Sequence, residues 1–155
     1  MTNPLILSIM ILAVVSVGAA GFLGSASAKH EASHPNPCFI VASVIDLVDK
    51  GQKSFDKLGT TETTKKVTST FSDINKNLDK AEVEILGIKL VEGEEYPDLA
   101  AELDAAIAAV SALNADAVAY PNPDADGDIK TQVAEITAST NIIITKANAL
   151  KALLP

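Results

Sequence analysis

Apolar side chains recur at alternating intervals of four and three along most of the chain, which gathers them on one face of a helix. Val67, Phe71, Ile74, Leu78, Ala81, Ile85 and Ile88 keep that spacing without a miss, as do Leu99, Leu103, Ala106, Val110, Leu113 and Ala117. Ile129, Val133, Ile136, Thr140, Ile143, Ala147, Leu150 and Leu154 form a further stripe with Thr140 as its polar member. A looser run of Val41, Ile45, Val48, Phe55 and Leu58 opens the series, with Gly51 and Gln52 weakening its middle.

The breaks between these runs carry helix punctuation. Pro37 precedes the first run and Gly59 closes it. The cluster Thr60-Thr61-Glu62-Thr63-Thr64 offers capping hydroxyls to the second, which Gly87 bends or ends and Gly93 stops. Tyr96-Pro97-Asp98 opens the third, with proline in the first turn and a carboxylate near the positive end of the dipole. Residues 122–127 interrupt the pattern completely, and the fourth run starts near Asp128. Ile142-Ile143-Ile144 and the Thr-flanked Val67 have β-branched character, but no run keeps the strict alternation of a strand. The prediction is an all-α, antiparallel up-down-up-down four-helix bundle over residues 37–155.

Ahead of it, Leu5 to Ala20 is uncharged and is followed by Ala26-Ser27-Ala28 and then Lys29, the first charged side chain. That order predicts a secretory signal peptide over residues 1–28 and a flexible lead over 29–36; a membrane anchor is the alternative, since the uncharged stretch is long enough to span a bilayer. The expected localisation is secreted or extracellular, with association to a cell wall or surface. Every charged side chain lies after Ala28, so the mature net charge stays at −8, with Lys but no Arg. Such a balance disfavours nucleic acid as a partner, because phosphate-backbone binders need clustered cations to displace counterions. Cys38 stands alone and cannot staple the fold internally; it reads as a small buried hydrophobe, with an intermolecular disulfide or a reactive thiol as alternatives.

Candidate chemistry is sparse. Asn122, Asp124, Asp126, Gly127 and Ile129 match the opening of an EF-hand loop, but Lys130 and Val133 occupy its ninth and twelfth positions, where the closing carboxylate belongs at the twelfth. An acidic turn with Asp128 capping the fourth helix is the preferred reading, and no metal or cofactor is expected. His30 and His34, with Glu31, share a helical spacing without a third ligand. No nucleophile-base-acid set is visible outside this lead, so no enzyme is expected. Glu82, Glu84, Glu92, Glu94, Glu95 and Asp98 cluster around one turn of the chain, and Lys50, Lys53, Lys57, Lys65 and Lys66 around another, which predicts charge polarised along the bundle. The apolar stripes are mainly core, yet bundles also build ligand sites between helices. Phe71, Ile74, Leu103, Ile107, Val110, Ile136, Thr140 and Ile143 are the candidate lining, and the Ala-rich third helix opposite Phe71, Ile74 and Ile85 is where a cavity is expected.

A signal peptide followed by a small, acidic, Ala-, Thr- and Asp-rich bundle resembles the fungal hydrophobic-surface-binding proteins and related cell-wall mannoproteins. The likeness covers roughly residues 40–154 and rests on helical phrases such as Phe71-Ser72-Asp73-Ile74-Asn75-Lys76-Asn77-Leu78. It implies an all-α bundle that adsorbs to hydrophobic surfaces or holds a lipid without catalysis. The plant inhibitors of pectin-modifying enzymes are also secreted four-helix bundles, but their paired cysteines are absent here. The expected function is non-enzymatic binding of an apolar, lipid-like ligand or a hydrophobic surface. The competing expectation is an extracellular interaction, inhibitor or structural protein that docks on a protein partner through the acidic patch.

Overall fold

The computed structural model describes residues 36–59, 62–121 and 127–155. Helices α1 (Pro37–Asp56), α2 (Thr64–Leu86), α3 (Leu99–Ala119) and α4 (Gly127–Ala152) make up the described fold, which is the all-α four-helix bundle that the periodicity predicts. The expected signal peptide, the lead up to Pro35 with its two histidines, and the acidic residues 122–126 lie outside the described residues. No described helix is long and apolar enough to cross a membrane.

Local chemistry sets the helix ends. The Asn36 side chain accepts the Cys38 N–H at 2.9 Å, and Pro37 occupies the first turn, where its missing N–H costs nothing. Thr63 caps α2 by accepting the Lys66 N–H at 3.2 Å, and Gly87 closes the same helix with its N–H on the Val83 and Glu84 carbonyls. Two expectations about helix starts are corrected. Pro97 lies outside α3, which begins at Leu99 with Asp98 as a cap residue whose side chain makes no capping bond. Asp128 sits inside the first turn of α4 and not ahead of it, so it acts on the helix dipole from within.

Side-chain pairs fix how the helices run. Ser43 donates to Glu84 at 3.1 Å, and the Phe55 and Phe71 rings lie 6.3 Å apart, so α1 and α2 are antiparallel. Asn114 accepts from Thr137 at 2.8 Å, and Lys151 pairs with Asp104, so α3 and α4 are antiparallel too. Gln52 near the end of α1 donates to Asp116 near the end of α3 at 2.9 Å, which makes these two parallel. The parallel pair α2 and α4 closes the ring, whereas α1 and α4, like α2 and α3, are diagonal and do not pack backbone to backbone. The directions thus alternate up and down along the chain, but the link over residues 87–98 crosses a diagonal. A tight hairpin between α2 and α3 would make them neighbours; this link is long enough not to, with a turn at Gly93 (φ 88°) and the Val91 N–H held by the Tyr96 hydroxyl at 3.0 Å.

The core follows the stripes. Every member of the α2 and α3 stripes is buried, and so are Ile129, Ile136, Thr140, Ile143, Ala147 and Leu150 of α4. On α1 the buried face is Val41, Val44, Val48 and Gly51, while Ile45, Phe55 and Leu58 are half-buried against it. Gly51 is therefore no weak point in the middle of α1. A Cβ built there would meet Leu113 Cδ2 at 3.2 Å and Ile74 Cγ2 at 3.7 Å, so its missing side chain lets α1 and α3 approach closely. At the same end of the bundle Phe55, Phe71 and Tyr120 form a ring cluster, and the Tyr120 hydroxyl donates to the Gly59 carbonyl at 2.7 Å. Tyr120→Phe should lower stability by about 1 kcal/mol, the usual worth of one such bond, read as a shift in the urea midpoint.

Candidate functional site

The eight side chains predicted to line a ligand site all reach the interior of the bundle. Phe71, Ile74, Leu103, Val110, Ile136 and Ile143 are fully buried, Thr140 is 2% exposed, and Ile107 is half-buried against the same core. They pack within one continuous aliphatic cluster to which all four helices contribute. Phe71, Ile74 and Ile85 face the Ala-rich α3 across a diagonal rather than along a direct helix contact.

Polar atoms interrupt this cluster along one seam, between α2 and α4. Asn75 Nδ2 donates to the Gln132 carbonyl at 3.1 Å; one heptad further along both helices the Ser139 hydroxyl meets the half-buried Glu82 carboxylate, and past the end of α2 the charge of Lys89 acts on Lys146. The offset of 57 residues is the same in the two pairs that lie on both helices, as a parallel pair with matched rise requires. Asn75 Oδ1 and Gln132 Oε1 on this seam, and Thr140 Oγ1 on the core stripe of α4, are buried without a hydrogen-bond partner. The Thr140 hydroxyl thus makes no bond back to a preceding helical carbonyl. Thr140→Val should raise stability by about 1–2 kcal/mol in a urea titration, because a buried hydroxyl without a partner carries its full desolvation cost. A large loss would mean that the α4 register is misassigned.

Burial acts on the charged groups in and beside the seam in the expected directions. Desolvation, and secondarily Asp79, pushes Glu82 above the ordinary Glu value against the opposing Ser139 bond, and desolvation alone raises Asp79. Desolvation and the neighbouring Lys89 together push Lys146 down. A carboxyl raised in the fold holds its proton more tightly there than in the unfolded chain, so Glu82 favours the fold most at low pH and loses that contribution as pH rises through its folded pKa. Glu82→Gln should therefore raise the melting temperature at pH 7, with the gain over the wild type shrinking towards pH 4; a gain independent of pH would contradict this.

The remaining sequence candidates distribute elsewhere. Glu92, Glu94, Glu95 and Asp98 are exposed on the 87–98 link, while Lys89, Lys146 and Lys151 stand at the same end of the bundle and Asp56 and Glu62 stand among the lysines of the other. The charge is less polarised than the sequence clusters imply. Glu62 is held low by the Gly59 N–H at 2.9 Å and by Lys66 at 3.3 Å. Val133, at the EF-hand closing position, packs against the core from within α4, and Lys130 is exposed one turn earlier. Cys38 is partly exposed, and desolvation followed by Asp98 and Glu102 raises its thiol pKa, which makes it a poor nucleophile. Two open surface grooves are present. One, of about 520 Å³, runs between α1 and α2 past Leu47, Lys50, Asp79 and Val83, and the other, of about 510 Å³, lies between the start of α1 and the link, beside Phe39 and Tyr96.

Asn75, Gln132 and Ser139 are not among the sequence candidates, and Glu82 is one only as a member of the acidic cluster. Each lies one heptad from another member on its own helix, but which helix pairs with which is invisible in a linear pattern. Compared with protein-family models, curated proteins and solved structures, the chain matches none.

Proposed function

We propose that this protein is a secreted, non-enzymatic helical bundle that binds an apolar, lipid-like ligand or a hydrophobic surface. The observation that carries the reading is where the apolar area sits: in one aliphatic interior shared by four amphipathic helices, crossed by a seam with unsatisfied polar atoms. Among the described residues the exposed large apolar side chains are Phe39 at 75%, Leu153 at 70%, Val118 at 59% and Val83 at 48% exposure, each on a different segment. Isolated exposures of this kind are ordinary and do not make a docking face. An apolar partner is therefore received by the inner faces, where Phe71, Ile74, Leu103, Ile107, Val110, Ile136, Thr140 and Ile143 would meet it. The driving force is burial of aliphatic area, at roughly 25 cal/mol per Å². Native mass spectrometry of protein purified from its host, with displacement of dansylundecanoic acid by fatty acids, tests the reading: co-purified lipid or saturable displacement is expected, and the absence of both would refute the ligand version.

A second reading has an observation of its own. Glu92, Glu94 and Glu95 are all exposed around the Gly93 turn, a compact anionic feature that suits a basic extracellular partner. Binding of that kind weakens steeply with salt and with neutralisation of the three carboxylates. A secretome pull-down at low and high salt separates the two: salt-insensitive capture, unchanged by the triple Gln substitution, counts against the acidic patch.

A further inference from the structure

The ring of helices is two hairpins, α1 with α2 and α3 with α4, meeting along two parallel seams. The α2/α4 seam is the more extensive of the two, and the seams differ in the atoms they hold. Along α1/α3 the Gly51 backbone admits Leu113 so closely that an added Cβ would stand 3.2 Å away, and Gln52 donates to Asp116 at 2.9 Å. Along α2/α4 lie two buried atoms without partners, Asn75 Oδ1 and Gln132 Oε1, and Thr140 Oγ1 is a third on the core stripe of α4. Water restores a hydrogen bond to each of these when the seam parts, so separation there recovers solvation that separation of α1/α3 does not. The half-buried Glu82 and Lys146 regain hydration in the same step. Connectivity permits the motion: α2 joins α4 only through α3 and the 87–98 link, whose residues reach about 40 Å when extended.

We infer that the bundle opens along the α2/α4 seam, with the α1/α3 contact at Gly51 and Leu113 as its spine, and that this opening is how an apolar ligand reaches the inner faces. The second half of the inference rests on the apolar-ligand reading; the opening itself is a property of the protein alone. Partial separation of this kind belongs to the sub-global fluctuations that native proteins show below their global unfolding free energy.

A buried reporter thiol and two reversible cross-links test it in the full chain. In a Cys38→Ser background, Thr140→Cys is the reporter, read by its rate of reaction with dithionitrobenzoate. Asn75→Cys with Gln132→Cys bridges α2 and α4, and Gln52→Cys with Asp116→Cys bridges α1 and α3; the dithiothreitol-reduced form of each is its own control. Without a bridge, the reporter should react at least tenfold faster than the global stability of the same variant allows. Oxidising the α2/α4 bridge should slow it at least tenfold, and oxidising the α1/α3 bridge less than twofold. Reaction at the globally limited rate, or equal slowing by both bridges, would overturn the opening. Each bridged protein, without the reporter, is then titrated with dansylundecanoic acid. Loss of binding on oxidation of the α2/α4 bridge alone supports the route, and equal binding by oxidised and reduced forms overturns it. If the thiol kinetics follow expectation and the unmodified protein takes up no probe, the opening stands and the apolar-ligand function falls.

Discussion

Phe71→Ala is expected to destabilise the bundle by about 3–5 kcal/mol, the usual cost of deleting a fully buried phenyl ring from a packed core. Phe71 has no exposed surface, stacks on Phe55 at 6.3 Å and meets Tyr120 edge to face at 5.8 Å, so its loss also unsupports two rings from α1 and the end of α3. Domains of this size have roughly 5–15 kcal/mol in hand, and the substitution removes a large share of it. Urea unfolding followed by circular dichroism reads the change directly. A loss below about 1 kcal/mol would mean that the ring is not the pillar of the cluster at the α1–α2 turn.

Gly51→Leu should be nearly as damaging, and for the opposite reason. The methyl group of alanine already meets Leu113 Cδ2 at 3.2 Å, a contact that a rotation of Leu113 can relieve. Gly51→Ala also gains roughly 1 kcal/mol of helix propensity, so it should leave stability within about 1 kcal/mol of the wild type. Leucine adds branches with nowhere to go between α1, Leu113 and Ile74, and overpacking of this kind costs about 1–3 kcal/mol or more. Tolerance of leucine would show that α1 and α3 lie further apart than the structure places them, and the spine of the proposed opening would be lost with it.

The contrast between these two positions shows where the sequence is legible. Phe71 falls on an unbroken four-three stripe, and that periodicity is enough to bury it and to find α2, α3 and most of α4. Gly51 has no side chain for a hydrophobic pattern to register, so sequence reasoning treats it as a helix weakness, although its value lies in what it lets a neighbouring helix do. Val44 escapes notice because the α1 stripe follows Ile45, one position away. The same limit hides the candidate site's polar half. Asn75 sits beside Ile74 in a phrase that reads as an ordinary amphipathic helix, and its partner Gln132 is fixed only when α2 and α4 become neighbours. That pairing follows from the diagonal 87–98 link. Chain order favours α2 beside α3, and only the three-dimensional path of the link places them across the core from each other. Thr140 is the exception. A polar residue on an apolar stripe is conspicuous in the sequence, and its hydroxyl is one of the three buried atoms without a partner.

The most direct test of the apolar-ligand account is methyl NMR of protein labelled at Ile, Leu and Val and titrated with a long-chain alcohol such as dodecanol. The account predicts saturable shifts and intermolecular contacts from the alkyl chain to the methyl groups of Ile74, Val110, Ile136 and Ile143, all of which are buried in the free protein. Contacts confined to the exposed Val83, Val118 and Leu153, or no contacts at all, would contradict it.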